Sequence, residues 1–368
     1  MTYFRSRPTS LAALCMLIPF SCVAEQAATE SASEQSPVWI SFQAPDSTAT
    51  YPQSINDLMV VTGYYTATFA TRGFIREADG SITTFAVPGA TTTAPVSINH
   101  AGDITGYYVL PPPSVDEPTF FSSVPQGFVR TADGTITTFG NTPNGLGDTH
   151  TTWFMPVAIN DTGEVVGNED NGAGSMVFVR SLSGSLEEFS LAAGPGVVNT
   201  TVAGINAAGA IVGYTQQGLD NWQGFLWSGV GALPSPSSNN TSTIIAARSV
   251  QTNPTAMNAE GDIVGCYGKL GYSFDFVRNQ EGTITTLDIP EEKGCNVTIN
   301  DAGTIAGSYV NKSYVDSVFT IPLHGEVSYF SYPGATNTWT TSLNNLDVIT
   351  GYYTKGGTTQ GFILIPAH

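Results

Sequence analysis

The sequence predicts an all-β fold, a seven-bladed β-propeller of four-stranded blades whose ring is closed by the N-terminal strand completing the C-terminal blade. Three observations carry that expectation. First, the segment INHAGDITGYY from Ile98 recurs as INDLMVVTGYY from Ile55, INDTGEVVGNE from Ile159, INAAGAIVGYT from Ile205, MNAEGDIVGCY from Met257, INDAGTIAGSY from Ile299 and LNNLDVITGYY from Leu343. Second, the Asn-to-Asn spacings are 43, 61, 46, 52, 42 and 44 residues, the length of a propeller blade. Third, the chain stops after three strands of its last unit, and its opening text WISF from Trp39 reads as the missing fourth. A parallel β-solenoid is the structural alternative, but it would not require the two ends to complete each other.

The first strand of each unit ends in the Ile-Asn pair, and the second carries D-I-T-G-Y-Y. The third is QGFVR from Gln126, recurring as RGFIR at Arg72, QGFLW at Gln223 and FDFVR at Phe274. The fourth is TITTF from Thr135, recurring as SITTF at Ser81 and TITTL at Thr283. Between third and fourth strands stand turns such as Ala132-Asp133-Gly134, where Gly supplies the positive φ of a tight hairpin. The text before the first full unit aligns without a gap to Ser81–Asn99: Phe42 with Phe85, Pro45 with Pro88, Pro52 with Pro95 and Asn56 with Asn99.

The units resemble the HAF-repeat extracellular family over roughly Ile40 to Pro366. The nearest match to its His-Ala-Phe motif is QGFLWSGVGAL from Gln223, preceded by INAAGAIVGY. His-Ala is here Gln-Gly, Arg-Gly or Phe-Asp, so the signature itself is not kept. The resemblance implies an exported, propeller-like protein and carries no catalytic residues with it.

Arg5 and Arg7, the apolar run Leu11 to Phe20 and the small residues before Glu25 read as a secretory signal over residues 1–24. Lipidation at Cys22 is the alternative. Residues 25–37 are polar and Ser/Ala-rich, a flexible linker, and 38–366 are the propeller. The apolar run is too short to span a bilayer, so no transmembrane segment is expected. Removing two Arg with the signal takes the net charge from −18 to −20. Such an acidic chain repels phosphate backbones, which argues against nucleic acid and for a soluble, monomeric exported protein.

The hairpins joining first to second and third to fourth strands are short and nearly constant, and lie at one end of the ring. The other two connections vary: Tyr108–Gln126, Gly140–Trp153 and Pro234–Pro254 are long insertions. Variable loops on a rigid scaffold are where binding is expected. The contact residues predicted there are Tyr51, Tyr65, Tyr108, Trp153, Tyr267, Trp339 and Tyr353, because aromatic faces with polar handles suit sugar rings or protein partners. Packing between blades is the competing use of the same tyrosines. The expected partner is an extracellular glycan or protein, recognised without catalysis. The alternative is a polysaccharide lyase or hydrolase using His150 as base with a channel Tyr as acid or Glu169, the latter read with Asp170 as an acidic loop. No G-x-S-x-G or H-E-x-x-H signature is present. No cofactor or metal is expected: the Asp of Asn-Asp at Asp57, Asp161 and Asp301 is His100, Ala207, Ala259 or Asn345 elsewhere, which suits turn chemistry better than a ligand ring. Cys266 and Cys295 remain after cleavage and are expected to form a structural disulfide between adjoining blades.

Overall fold

The computed structural model describes residues 36–111, 124–140, 152–170, 174–191, 197–218, 221–228, 243–245, 251–269, 272–289, 295–323 and 325–367. The expected signal, most of the linker, His150, His324, His368 and much of the three long insertions lie outside them. Contacts separate Met1–Gln35 with His368 from Ser36–Ala367, and everything below concerns the second unit.

The described residues form strands and no helix, an all-β, propeller-type architecture. After β1 (Val38–Phe42), the first repeat gives β2 (Ala49–Ile55), β3 (Val61–Ala67), β4 (Ala70–Arg76) and β5 (Ile82–Phe85). The second gives β6 (Thr92–Ile98), β7 (Ile104–Val109), β8 (Gln126–Arg130) and β9 (Ile136–Phe139). The third gives β10 (Trp153–Ile159), β11 (Val165–Asp170), β12 (Ser175–Arg180) and β13 (Leu186–Phe189). The fourth gives β14 (Val197–Ile205), β15 (Ile211–Gln217), β16 (Asn221–Trp227) and β17 (Thr243–Ile245). The fifth gives β18 (Gln251–Met257), β19 (Ile263–Lys269), β20 (Tyr272–Arg278) and β21 (Ile284–Thr286). The sixth gives β22 (Val297–Ile299), β23 (Ile305–Val310), β24 (Asp316–Ile321) and β25 (Ser328–Phe330). The last gives β26 (Asn337–Leu343), β27 (Ile349–Lys355) and β28 (Thr358–Ile365).

Within each repeat the strands pair antiparallel in chain order. β1 pairs antiparallel with β28, Val38 opposite Ile365 through Phe42 opposite Gly361. First strands touch first strands in sequence, and β26 touches β2. The first strands are therefore the inner ones, and the short fourth strands are outer edges.

The glycine of each second strand has a definite reason. β2 carries a bulge between Pro52 and Ser54, directly opposite Gly63, and the same shift recurs between Pro95 and Ser97 opposite Gly106. A Cβ on Gly63 would collide with the Tyr51 carbonyl, and one on Gly106 with that of Ala94. The bulged inner strand can press onto its partner only where a side chain is missing. Proline fits the bulge because no ladder N–H is needed there.

The repeated asparagine does two jobs. Asn56 Oδ1 accepts the N–H groups of Leu58 and Val60 at 3.1 and 3.0 Å, closing its own turn. Its Nδ2 donates to the carbonyl of Asn99 at 3.1 Å, and Asn99 donates in turn to Asn160. The series continues through Asn206, Asn258, Asn300 and Asn344, and Asn344 donates back to Asn56 at 3.1 Å. All seven asparagines are buried, so each amide meets the demand that a buried polar group be hydrogen-bonded.

Further out, Phe74, Phe128, Phe178, Phe276, Phe319 and Phe362 of the third strands are fully buried between repeats. The arginine ending a third strand lies over the fourth-strand phenylalanine of the preceding repeat, Arg130 over Phe85 and Arg180 over Phe139, and Arg76 lies likewise over Phe42 of β1, at 5.1 to 5.2 Å.

Candidate functional site

Two consecutive tyrosines on a strand must face opposite sides of the sheet. In the Tyr-Tyr pairs of the second strands, the first member shares a face with the inner-strand residue opposite it. Tyr51 faces Tyr64 across β2–β3, and Trp339 faces Tyr352 across β26–β27. The rings meet in one run: Trp339 and Tyr352 have centroids 5.1 Å apart, Tyr352 and Tyr51 5.3 Å, and Tyr51 and Tyr64 5.1 Å. All four are half-buried, and in register the run lies beyond the bulges, on the side of the strands away from the Asn turns. Burial, reinforced by Tyr107, Tyr51 and Tyr352, pushes the Tyr64 hydroxyl up to about 12, and burial raises Tyr352 as well. Both phenols stay neutral and keep their protons for donation.

Of the predicted contact residues, the structure therefore brings Tyr51 and Trp339 together, with Tyr64 and Tyr352 as partners the sequence reading passed over. Tyr65, Tyr108 and Tyr353 are corrected to core residues, at 8%, 6% and 3% exposure. They are the second members of their pairs and pack between repeats. Tyr353 stacks on Tyr332 at 3.6 Å, and its hydroxyl bonds to Ser41 at 2.7 Å and to Gln360. Tyr267, also a second member, stacks on Phe274 at 5.5 Å and bonds Thr286 Oγ1 at 2.8 Å, away from the run. Trp153 is 47% exposed at the start of β10, opposite Asp170, and joins no described ring contact.

Glu169 is also corrected. It belongs to strand β11 rather than to a loop, in the register position where Tyr267 stands in β19, and it is 6% exposed. Burial first, then Glu188, pushes its carboxyl up to about 7. Its Oε2 has no hydrogen-bond partner. Glu169 is thus buried within the sheet, and the other catalytic candidate, His150, lies outside the described residues.

Cys266 and Cys295 form the expected disulfide, with Cα atoms 5.2 Å apart. Cys266 occupies the place that Tyr64 fills in the first repeat.

A depression of about 210 Å³ opens at the other, constant end, lined by the Ile-Asn turns of all seven repeats. The sequence reading assigned this end to folding alone. Its rim is tied from repeat to repeat: His100 N–H donates to Asp161 at 2.9 Å, Ala259 N–H to Asp301 at 2.7 Å, Asp301 N–H to Asn345 at 2.9 Å and Asn345 N–H to Asp57 at 2.8 Å. His100 Nδ1 stands 4.0 Å from Asp57 Oδ2. Among the described residues no group of three or more His, Cys, Asp or Glu is arranged to hold a metal.

No protein-family model matches the sequence, and neither does any curated protein. Solved structures do match in shape. A streptogramin B lyase is 11% identical, with 89% of this chain and 98% of that one covered at a TM-score of 0.54. A virginiamycin B lyase from Staphylococcus aureus is 12% identical, with 89% and 99% covered at 0.53. A structure from a study of two prolyl endopeptidases is 12% identical, with 90% of this chain and 47% of that one covered at 0.55. Identities this low carry the propeller-type fold and nothing of the chemistry.

Proposed function

We propose that this protein is an exported, monomeric β-propeller of the HAF-repeat kind that binds an extracellular glycan, or a protein, without transforming it. The ring is read as seven four-stranded blades, with β1 completing the blade of β26, β27 and β28. The pairing of β1 with β28 and the return of the asparagine series from Asn344 to Asn56 support that count.

The observation that carries the binding reading is the run Trp339–Tyr352–Tyr51–Tyr64 across the inner strands. Its rings offer apolar faces while the phenols keep hydroxyls for hydrogen bonds, the combination that sugar rings need. Glycan is favoured over protein because the run is a narrow, ordered ladder of rings rather than a broad apolar patch of the size protein interfaces bury.

A glycan-array screen of residues 25–368, followed by prolonged incubation with each polysaccharide that binds, tests this. Binding without new reducing ends or unsaturated uronate, abolished in Trp339→Ala and Tyr51→Ala, is the expected result. Release of products would refute it.

A further inference from the structure

Resting on the glycan-binding reading, we propose that the aromatic run is selective for an amine-bearing glycan, a glucosamine-type polymer, with Asp316 receiving the ammonium group. Asp316 opens β24 at the variable end. The Asn337 amide, in the orientation that gives its nitrogen an acceptor, donates to Asp316 Oδ2 at 3.1 Å. Asn337 and Trp339 are two apart on β26, so they share a face of that strand. A carboxylate thus stands beside one end of the ring ladder, and it also acts electrostatically on the Tyr352 hydroxyl.

Burial raises the Asp316 carboxyl, a push that a cationic ligand would offset. Two cations among the described residues are engaged by carbonyls: Lys355 Nζ donates to Pro333 O at 3.0 Å, and Arg72 donates to Ala90 O at 3.0 Å. A chain of net charge −18 disfavours uronates and sulfated sugars as ligands. An ammonium group is attracted both by the carboxylate and by the negative faces of the rings.

The test compares glucosamine, N-acetylglucosamine and glucuronate hexamers by calorimetry on the full exported chain, in mildly acidic buffer where the amine is charged. The glucosamine hexamer is expected to bind about tenfold tighter than its acetylated counterpart, the scale of one cation–aromatic contact. That preference should shrink with added salt in the wild-type protein, a reading independent of any variant's folding. It should disappear in Asp316→Asn while Asp79→Asn, an exposed carboxylate of a β4–β5 turn, keeps it. Equal or better binding of the acetylated or uronate sugar, or equal loss in Asp79→Asn, overturns the amine preference and leaves glycan binding standing. Binding of none of the three overturns this inference and, with a blank glycan array, the reading beneath it.

Discussion

Asn344 donates its side-chain amide to the backbone carbonyl of Asn56 at 3.1 Å, across 288 residues of sequence. The same side chain accepts the N–H groups of Leu346 and Val348 at 3.0 and 2.9 Å. One amide therefore closes a turn in the last repeat and ties that repeat to the first.

Replacing Asn344 with Ala takes the acceptor from two turn N–H groups, Leu346 and the buried Val348, and removes one of the two donors to the Asn56 carbonyl, which keeps the Met59 N–H at 3.0 Å. Leaving buried groups unpaired costs about 1–3 kcal/mol each, reduced where water reaches them, so a loss of about 2–4 kcal/mol is expected in urea unfolding. Asn344→Asp keeps the turn acceptors and loses only the inter-repeat donor. It should fall between wild type and Ala. Equal stability of all three proteins would show that the tie between last and first repeats contributes nothing.

The two members of a Tyr-Tyr pair should separate cleanly on substitution. Tyr352→Ala removes a ring between Trp339 and Tyr51 and is expected to weaken glycan binding about tenfold or more, with a modest effect on the melting temperature. Tyr353→Ala empties a buried site and should cost about 3–5 kcal/mol of stability. At temperatures where the variant remains folded, its affinity should be unchanged. Calorimetry and thermal unfolding on the same two samples decide the matter.

The disulfide should act as a staple. Cys266 and Cys295 are 29 residues apart, and closing a loop of that length stabilises by about 3–4 kcal/mol in the chain-entropy view. Replacing both with Ser, or reducing the wild type, should lower the unfolding midpoint by a matching amount. A midpoint unmoved by reduction would remove the staple from the account.

Much of this architecture could be read in the repeats because each strand leaves a local mark: a turn glycine, a bulge proline, a phenylalanine on the third strand. The pairing of Cys266 with Cys295 followed from where the repeats placed them. Which tyrosines face the aromatic run was also latent, since alternation along a strand separates Tyr64 from Tyr65. Fixing the sign of that alternation needed the strand opposite, and hence the register of Tyr51 with Tyr64. Glu169 was latent too: the repeat INDTGEVVGNE sets it where Tyr108 stands, but the loop-like composition of NEDNG masked this until its pairing with Phe154 and Met176 made it a strand residue. The depression at the constant end was hidden for another reason. It is built from seven copies of a turn, and no single copy looks like a site.

Glu169 supplies the pH dependence. Its ordinary value is 4.5, and the fold raises it to about 7 through burial first and the neighbouring Glu188 second. Of the residues opposite or beside it, Phe154 on β10 and Met176 on β12 do not titrate, leaving Glu188 on β13 as the acting charge. The folded state therefore holds a proton that the unfolded chain has released between those two values. Its contribution to stability is complete below pH 4.5 and is lost as pH rises through about 7. Integrated over that window the loss is at most about 3 kcal/mol. Glu169→Gln carries the same shape without the titration, so its stability should decline less than that of the wild type between pH 5 and 8, the two curves diverging by about 2–3 kcal/mol. Glu188→Gln removes only the lesser cause and should leave most of the decline in place. Parallel curves for wild type and Glu169→Gln, measured by urea unfolding across that range, would mean that the β11 carboxyl titrates as an ordinary one.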